Sequence, residues 1–323
     1  MEKIIFGAFC LLTLATSCVK DTVCSEESSP AQTDLISPNV TALVSDPLSS
    51  TSPLTGILEI YPCNENSSIF YGNYISGNLT PFYGYYTIVN GHISSEGNKR
   101  ELSLPLNTYN MVYWATPKYD EPTYKSPALS EPGITIGADL STLYYKLRSN
   151  SDETYHPVYD LVYAVNEVHI GEEDLNASLT RVVSGIKVIV TQKNNTAFSS
   201  NISSMEARIG SIAERINVYT AQPEDMTKTV KFDLTRSTDN TEMSNATAMV
   251  FPSDAKPLFE LNITLKDGSV HTLSRNLEST LVANTRLTLN IVIGDIHSGG
   301  SDGNFSIENW NEASETIEFP VVD

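Results

Sequence analysis

The sequence predicts an all-β protein with two tandem domains, and three observations carry that reading. Apolar residues recur at every second position in GILEIYP (56–62), KVIVTQ (187–192), LFELNITL (258–265) and RLTLNIVI (286–293), the period of a strand with one buried face. Asn90-Gly91 separates YYTIV from HI, and Asp267-Gly268 separates LNITLK from SVHTL. Both dipeptides accept the positive φ angles of a tight type I′ hairpin turn. The pattern extends over about 270 residues, too many for one small sandwich, so two domains are expected.

The elements follow in chain order. MEKIIFGAFCLLTLATSC places Lys3 before an apolar run from Ile4 to Ala15, then small residues up to Cys18. That run is too short to span a bilayer and has the form of a secretory signal peptide over 1–17. A cysteine directly after small residues suggests a lipobox, in which the Cys18 thiol receives diacylglycerol. Two or three acyl chains, at about 0.8 kcal/mol per buried methylene, make a stable anchor. Leu14 lies four residues before Cys18, where the usual pattern has its aliphatic residue three before; an ordinary cleaved signal is the competing reading.

Residues 18–53 are expected to form a tether, since Ser, Thr and Pro fill 15 of the 29 positions from 25 to 53, a composition of flexible or extended chain. Within it the patch Val40 to Val44 is long enough for a short strand. Glu26-Glu27 is either a signal for surface export or simply a solvated pair. The first domain is expected over 54–175 and the second over 176–323, divided at the acidic stretch GEEDLNAS (171–178). Fifteen of the sixteen tyrosines lie between Tyr61 and Tyr163, whereas six of the eight arginines lie beyond residue 180; the halves are therefore not recent copies of each other. SSMEARIGSIAERI (203–216) reads equally as helix or strand, because Gly210 and the β-branched residues weaken the helix.

Composition excludes several functions. The chain carries 20 basic and 39 acidic residues, a formal charge of −19, which argues against nucleic acid and against electrostatic attachment to anionic lipid. Past the leader, no apolar run is long enough for a transmembrane helix. There is no Gly-x-Ser-x-Gly elbow, His-Glu-x-x-His or phosphate-binding loop, and His92, His156, His169, His271 and His297 are scattered. No enzyme, cofactor or zinc site is expected. With Cys10 in the leader and Cys18 acylated, Cys24 and Cys63 remain; they pair or stay free, which spacing does not decide. DIHSGGSDGN (295–304) offers Asp295, Asp302 and Asn304 as oxygen ligands for calcium, or else is a connection before the last strand. Phe82, Tyr83, Tyr85, Tyr86 and Trp114 either stack on a sugar, making a glycan-binding surface protein, or fill a sandwich.

Three segments resemble the Bacteroidales fimbrillin superfamily, the fimbrillins and their associated lipoproteins. LTRVVSGIKVIVTQ (179–192) is similar to a Leu-x-Arg-x-Val-x-x-Ile-x-Val strand of that group. The 249–295 segment, MVFPSD through IVIGD, follows its order of Phe-Pro turn, strand, Asp-Gly hairpin and closing strand, and FSIENWNE (305–312) resembles its final strand. Residues 54–175 match only in general pattern. The resemblance implies tandem transthyretin-like β-sandwiches in a type V pilus, on the outside of the outer membrane. Its subunits are exported as lipoproteins, an Arg- or Lys-specific protease removes the first strand, and a neighbouring subunit's strand fills the groove. After Lys20 the next basic residues here are Lys99 and Arg100. No useful cut precedes the first domain, so the resemblance implies an anchor subunit that keeps its lipid; a tip, stalk or other accessory subunit is the alternative. The partner strand is expected along an edge or groove lined by GILEIYP.

Overall fold

The period-two segments become strands throughout the residues described by a computed structural model, which are 34–45, 51–82, 84–94, 101–118, 122–294 and 307–316. In the first half these are β1 (Leu35–Ile36), β2 (Val40–Ser45), β3 (Thr51–Pro53), β4 (Gly56–Asn64), β5 (Asn73–Ile75), β6 (Asn78–Thr80), β7 (Tyr85–Val89), β8 (His92–Ile93), β9 (Leu104–Pro105), β10 (Thr108–Pro117), β11 (Leu129–Ser130), β12 (Tyr144–Leu147), β13 (Val162–His169) and β14 (Leu175–Arg181). The second half adds β15 (Ser184–Gln192), β16 (Ile202–Asn217), β17 (Pro223–Arg236), β18 (Glu242–Ser244), β19 (Ala248–Val250), β20 (Leu258–Leu265), β21 (Val270–Asn276), β22 (Thr285–Ile293) and β23 (Ile307–Thr316). Helix among the described residues is confined to the 3-10 turns Leu140–Thr142 and Lys193–Asn195. The all-β expectation holds.

The first sheet runs β14-β13-β10-β4-β7-β8-β2, with β3 also on β2, and a parallel pairing of β2 with β14 closes it on itself. Its interior is filled by alternate residues, among them Val40, Ala42, Leu58, Ile60, Ile88, Met111 and Ala177. The second sheet has eleven strands. In it β16 lies between β17 on one side and β20 and β12 on the other, β15 pairs in parallel with β22, and β18 joins β17 to β15.

β4 and β10 serve both cores. Leu58, Ile60, Met111 and Tyr113 point into the closed sheet, while Tyr61, Cys63, Val112 and Trp114 pack with β15, β16, β20 and β22 residues such as Val188, Ile209, Phe259 and Leu289. A strand buried on both faces loses its alternation, which accounts for the unbroken apolar run MVYWA at 111–115.

The structure revises parts of the sequence reading and decides others that it left open. The described part of the expected tether is folded: β1 pairs with β9, and β2 pairs with β14, β8 and β3. The Val40–Val44 patch is thus a strand, whose alternate side chains Val40 and Ala42 are buried. At 175/176 the expected boundary cuts β14, which pairs with β13 and β2 in the first sheet. Moreover, β11 and β12, from the first half, join the second sheet through β16. SSMEARIGSIAERI is strand β16, and a shift in its pairing between Ile209 and Ile212 absorbs Gly210 and Ser211, whose φ is +56°. Asn90 and Gly91 take φ of +47° and +81° between paired Val89 and His92, as a type I′ turn requires. The Asp267-Gly268 hairpin instead has a three-residue loop in which Gly268 alone takes positive φ, with Gly268 N–H donating to the Leu265 carbonyl at 3.0 Å and Leu265 N–H to that of Ser269 at 2.9 Å.

Candidate functional site

The candidate site is the seam where β2 closes the first sheet. β2 runs parallel to β14 over five residue pairs, Val40 with Leu175 through Val44 with Leu179. On its other side it pairs with β3 at Leu43 to Ser45 and with β8 at Thr41. Val40 and Ala42 are 5% and 0% exposed and lie beside Leu175 and Ala177 of the same core. Removing β2 would part β14 from β3 and β8 and uncover an apolar channel between them.

A polar clasp precedes the strand. Asn39 donates its backbone N–H to Asp174 Oδ1 at 3.0 Å and its Nδ2 to both carboxylate oxygens at 3.2 Å. Leu175 N–H returns to the Asn39 carbonyl at 2.9 Å. Asp174 belongs to the acidic GEEDLNAS stretch, so part of that stretch is a fastening for the first strand.

GILEIYP lies in β4, which is hydrogen-bonded to β7 on one side and β10 on the other. It therefore has no free edge for a partner strand, contrary to expectation. The β2–β14 pairing closes the sheet, and the short strand β3 ends its order.

Where the first sheet hands over to the second, Arg181 is nearly buried. Its Nε and one terminal nitrogen donate to Asp160 Oδ1 and Oδ2 at 2.8 and 3.0 Å, and the other terminal nitrogen donates to Asn284 Oδ1 at 2.9 Å. This fork-to-fork geometry is the strong form of an ion pair. The arginine of the Leu-x-Arg motif thus ties the end of β14 to the segments before β13 and β22.

Trp114 and Tyr86 are corrected from sugar-stacking candidates to core residues, being 1% and 3% exposed. Trp114 packs on Tyr145 and Tyr163 with ring centroids 4.8 and 5.0 Å apart, and its Nε1 donates to the Val218 carbonyl at 2.9 Å. A ring this deeply buried offers no platform. Phe82 is half-buried and Tyr85 is exposed at 52%; Tyr83 lies outside the described residues, as do Cys18, Cys24 and the 295–304 segment with Asp295, Asp302 and Asn304.

Cys63 is a fully buried thiol in β4 with no disulfide partner among the described residues, and burial pushes its pKa up to about 12. Beside it lies a group that sequence reading missed. Tyr61 Oη and Tyr145 Oη donate to Glu59 Oε2 at 2.6 and 3.0 Å and stand 3.0 Å from each other. Burial raises the Glu59 pKa, against the two phenol hydrogen bonds that lower it, while nearby Glu131 raises it further. The cluster joins β4 of the first sheet to β12 of the second. Among the described residues no group of three or more His, Cys, Asp or Glu side chains could hold a metal ion, and no helix is long and apolar enough to cross a membrane.

A family model described as fimbrillin-A associated anchor proteins Mfa1 and Mfa2 matches residues 37–316, so the match begins just ahead of β2 and ends with β23. No curated protein matches the chain. Among solved structures, the fimbrial anchor protein Mfa2 from Porphyromonas gingivalis is similar at 12% identity and a TM-score of 0.47, covering 87% of this chain and 100% of that one. A candidate cell adhesion protein from Bacteroides ovatus is similar at 13% identity and a TM-score of 0.45, covering 86% and 98%. Another from Bacteroides uniformis is similar at 14% and 0.45, covering 86% and 97%.

Proposed function

We propose that this chain, which belongs to the family of fimbrillin-A associated anchor proteins Mfa1 and Mfa2, is a non-catalytic, lipid-anchored surface subunit at the base of a type V fimbria. In this reading acylated Cys18 holds the chain in the outer membrane, and the chain joins its neighbouring subunit by strand addition. The observation that carries the reading is the seated strand β2. It closes the first sheet through five pairs with β14, and no Lys or Arg occurs from Asp21 to Asn98. An Arg- or Lys-specific protease therefore has no bond to cut between β2 and the next strands of its sheet, β3, β4, β7 and β8. A cut after Lys20 would remove the acylated residue but leave β2 in place.

The experiment is the intact mass of the protein extracted from native membranes. The expected species starts at Cys18, carries two or three acyl chains and retains residues 34–45. A delipidated species starting beyond residue 45 overturns the anchor role and makes the chain a stalk or tip subunit instead.

A further inference from the structure

Between the rim of the closed sheet and the second sheet lies a cleft of about 480 Å³, inside the roughly 300–1,000 Å³ range of small-molecule sites. Its walls combine two chemistries. Ile57, Val89, Val158, Met249 and Pro127 supply apolar surface, while Thr55, Thr87, Thr116, Thr123, Thr247 and Tyr159 bring hydroxyls. Thr247 is 1% exposed, and its Oγ1 has no hydrogen-bond partner among the described residues. Its carbonyl is already used by Tyr124 N–H at 3.1 Å. A buried hydroxyl without a partner costs about 1–3 kcal/mol; Tyr113 Oη and Asn73 Nδ2 share that state elsewhere in the fold, but Thr247 belongs to the cleft lining, where a small shift would let a ligand hydroxyl reach it.

Charge narrows the ligand. The Asp160 carboxylate at the cleft is taken up by the Arg181 fork at 2.8 and 3.0 Å. Lys118 is the other ionisable lining residue apart from the phenols of Tyr124 and Tyr159. Hydroxyls both donate and accept, which suits an uncharged partner that also does both. An added peptide strand is disfavoured, because the rim strands β4, β7 and β10 are each paired on both sides. Tyr159, 42% exposed, presents a ring at the wall, with Ile57 at 36% and Val89 at 48%.

From this we propose that the cleft binds a neutral saccharide residue, with its hydroxyls meeting Thr247 and the other threonines and one C–H face lying against Tyr159. The proposal stands independently of the fimbrial role. It also places sugar binding away from the aromatic cluster at 82–86.

The test is saturation-transfer NMR on the detergent-solubilised full chain with the methyl glycosides of glucose, galactose, mannose and N-acetylglucosamine. Transfer is expected to at least one of them, with affinity falling about tenfold in Thr247→Val, which loses a hydrogen bond, and in Tyr159→Ala, which loses the ring contact. Tyr85→Ala, outside the cleft, should leave it unchanged. Tyr159 is at the surface, so its variant reports on binding even if Thr247→Val disturbs folding. Absence of transfer to all four glycosides overturns the proposal. So does transfer undiminished in both cleft variants, and so does Thr247→Val gaining stability without losing affinity, which would leave the hydroxyl a mere packing defect.

Discussion

Trp114 is expected to be the side chain whose loss most weakens the hold between the two sheets. It sits on β10, whose other face lines the closed sheet, and it packs on Tyr145 of the second sheet and Tyr163 of the first at 4.8 and 5.0 Å. Truncation of a buried tryptophan to alanine costs about 3–5 kcal/mol through lost contacts and an uncollapsed cavity. It also orphans the Val218 carbonyl, which now accepts from Nε1 at 2.9 Å. Trp114→Phe keeps a ring but not the donor, and should cost about 1–3 kcal/mol from the unsatisfied carbonyl together with the smaller volume. The assay is equilibrium urea unfolding followed by far-UV circular dichroism. The wild type should unfold in one transition, because β4 and β10 belong to both cores. A loss under about 1 kcal/mol in Trp114→Ala, far below the cavity range, would refute the reasoning and return Trp114 to the surface.

Two further predictions rest on groups in the same seam. Burial raises the Glu59 pKa, so folding favours its protonated form. Stability linked to this group is therefore fully present below the ordinary glutamate range and is lost as pH rises through the raised value. Glu59→Gln should stabilise the protein near pH 7, with the gain vanishing below about pH 4, as measured by thermal unfolding; a gain constant across that window would contradict the mechanism. For Cys63, complete burial and a pKa near 12 predict no alkylation by iodoacetamide in the native state. Peptide mass spectrometry should find the label once the chain is unfolded without reductant. Label absent until a reductant is added would instead mean pairing with Cys24.

Period two carried most of the fold into view, and the Asn90-Gly91 turn could be read almost residue by residue. What stayed hidden depends on long-range closure. β2 is six residues set in Ser-, Thr- and Pro-rich chain, with Val40 and Ala42 as its fully buried side chains. Its partner β14 lies some 135 residues away, and no local signal announces a parallel pairing of that span. Trp114 stayed open for a related reason: whether an isolated aromatic stacks on a ligand or fills the core is undecided until both faces of its strand are known to be covered. The cleft draws on residues from Thr55 to Met249, five of them threonines that are unremarkable one at a time. Arg181 could be seen as part of a motif, but its reason, the Asp160 and Asn284 contacts, needed the fold.

The closed sheet also bears on what kind of subunit this is. A strand held in its own sheet by a continuous chain competes with any donor strand at an effective concentration set by a short linker, of order millimolar or higher. A donor from solution faces that advantage as well as the entropy of association. The linker here, residues 46–50, contains no Lys or Arg, so an Arg- or Lys-specific protease of the kind the proposed reading invokes has nothing to act on within it. The Asn39–Asp174 clasp and the β1–β9 pair stand between the N-terminal segment and β2. On the proposed reading, then, the seam is a retained plug: the chain cannot accept a strand there and must join its neighbour elsewhere, which suits the first subunit of a filament better than any later one.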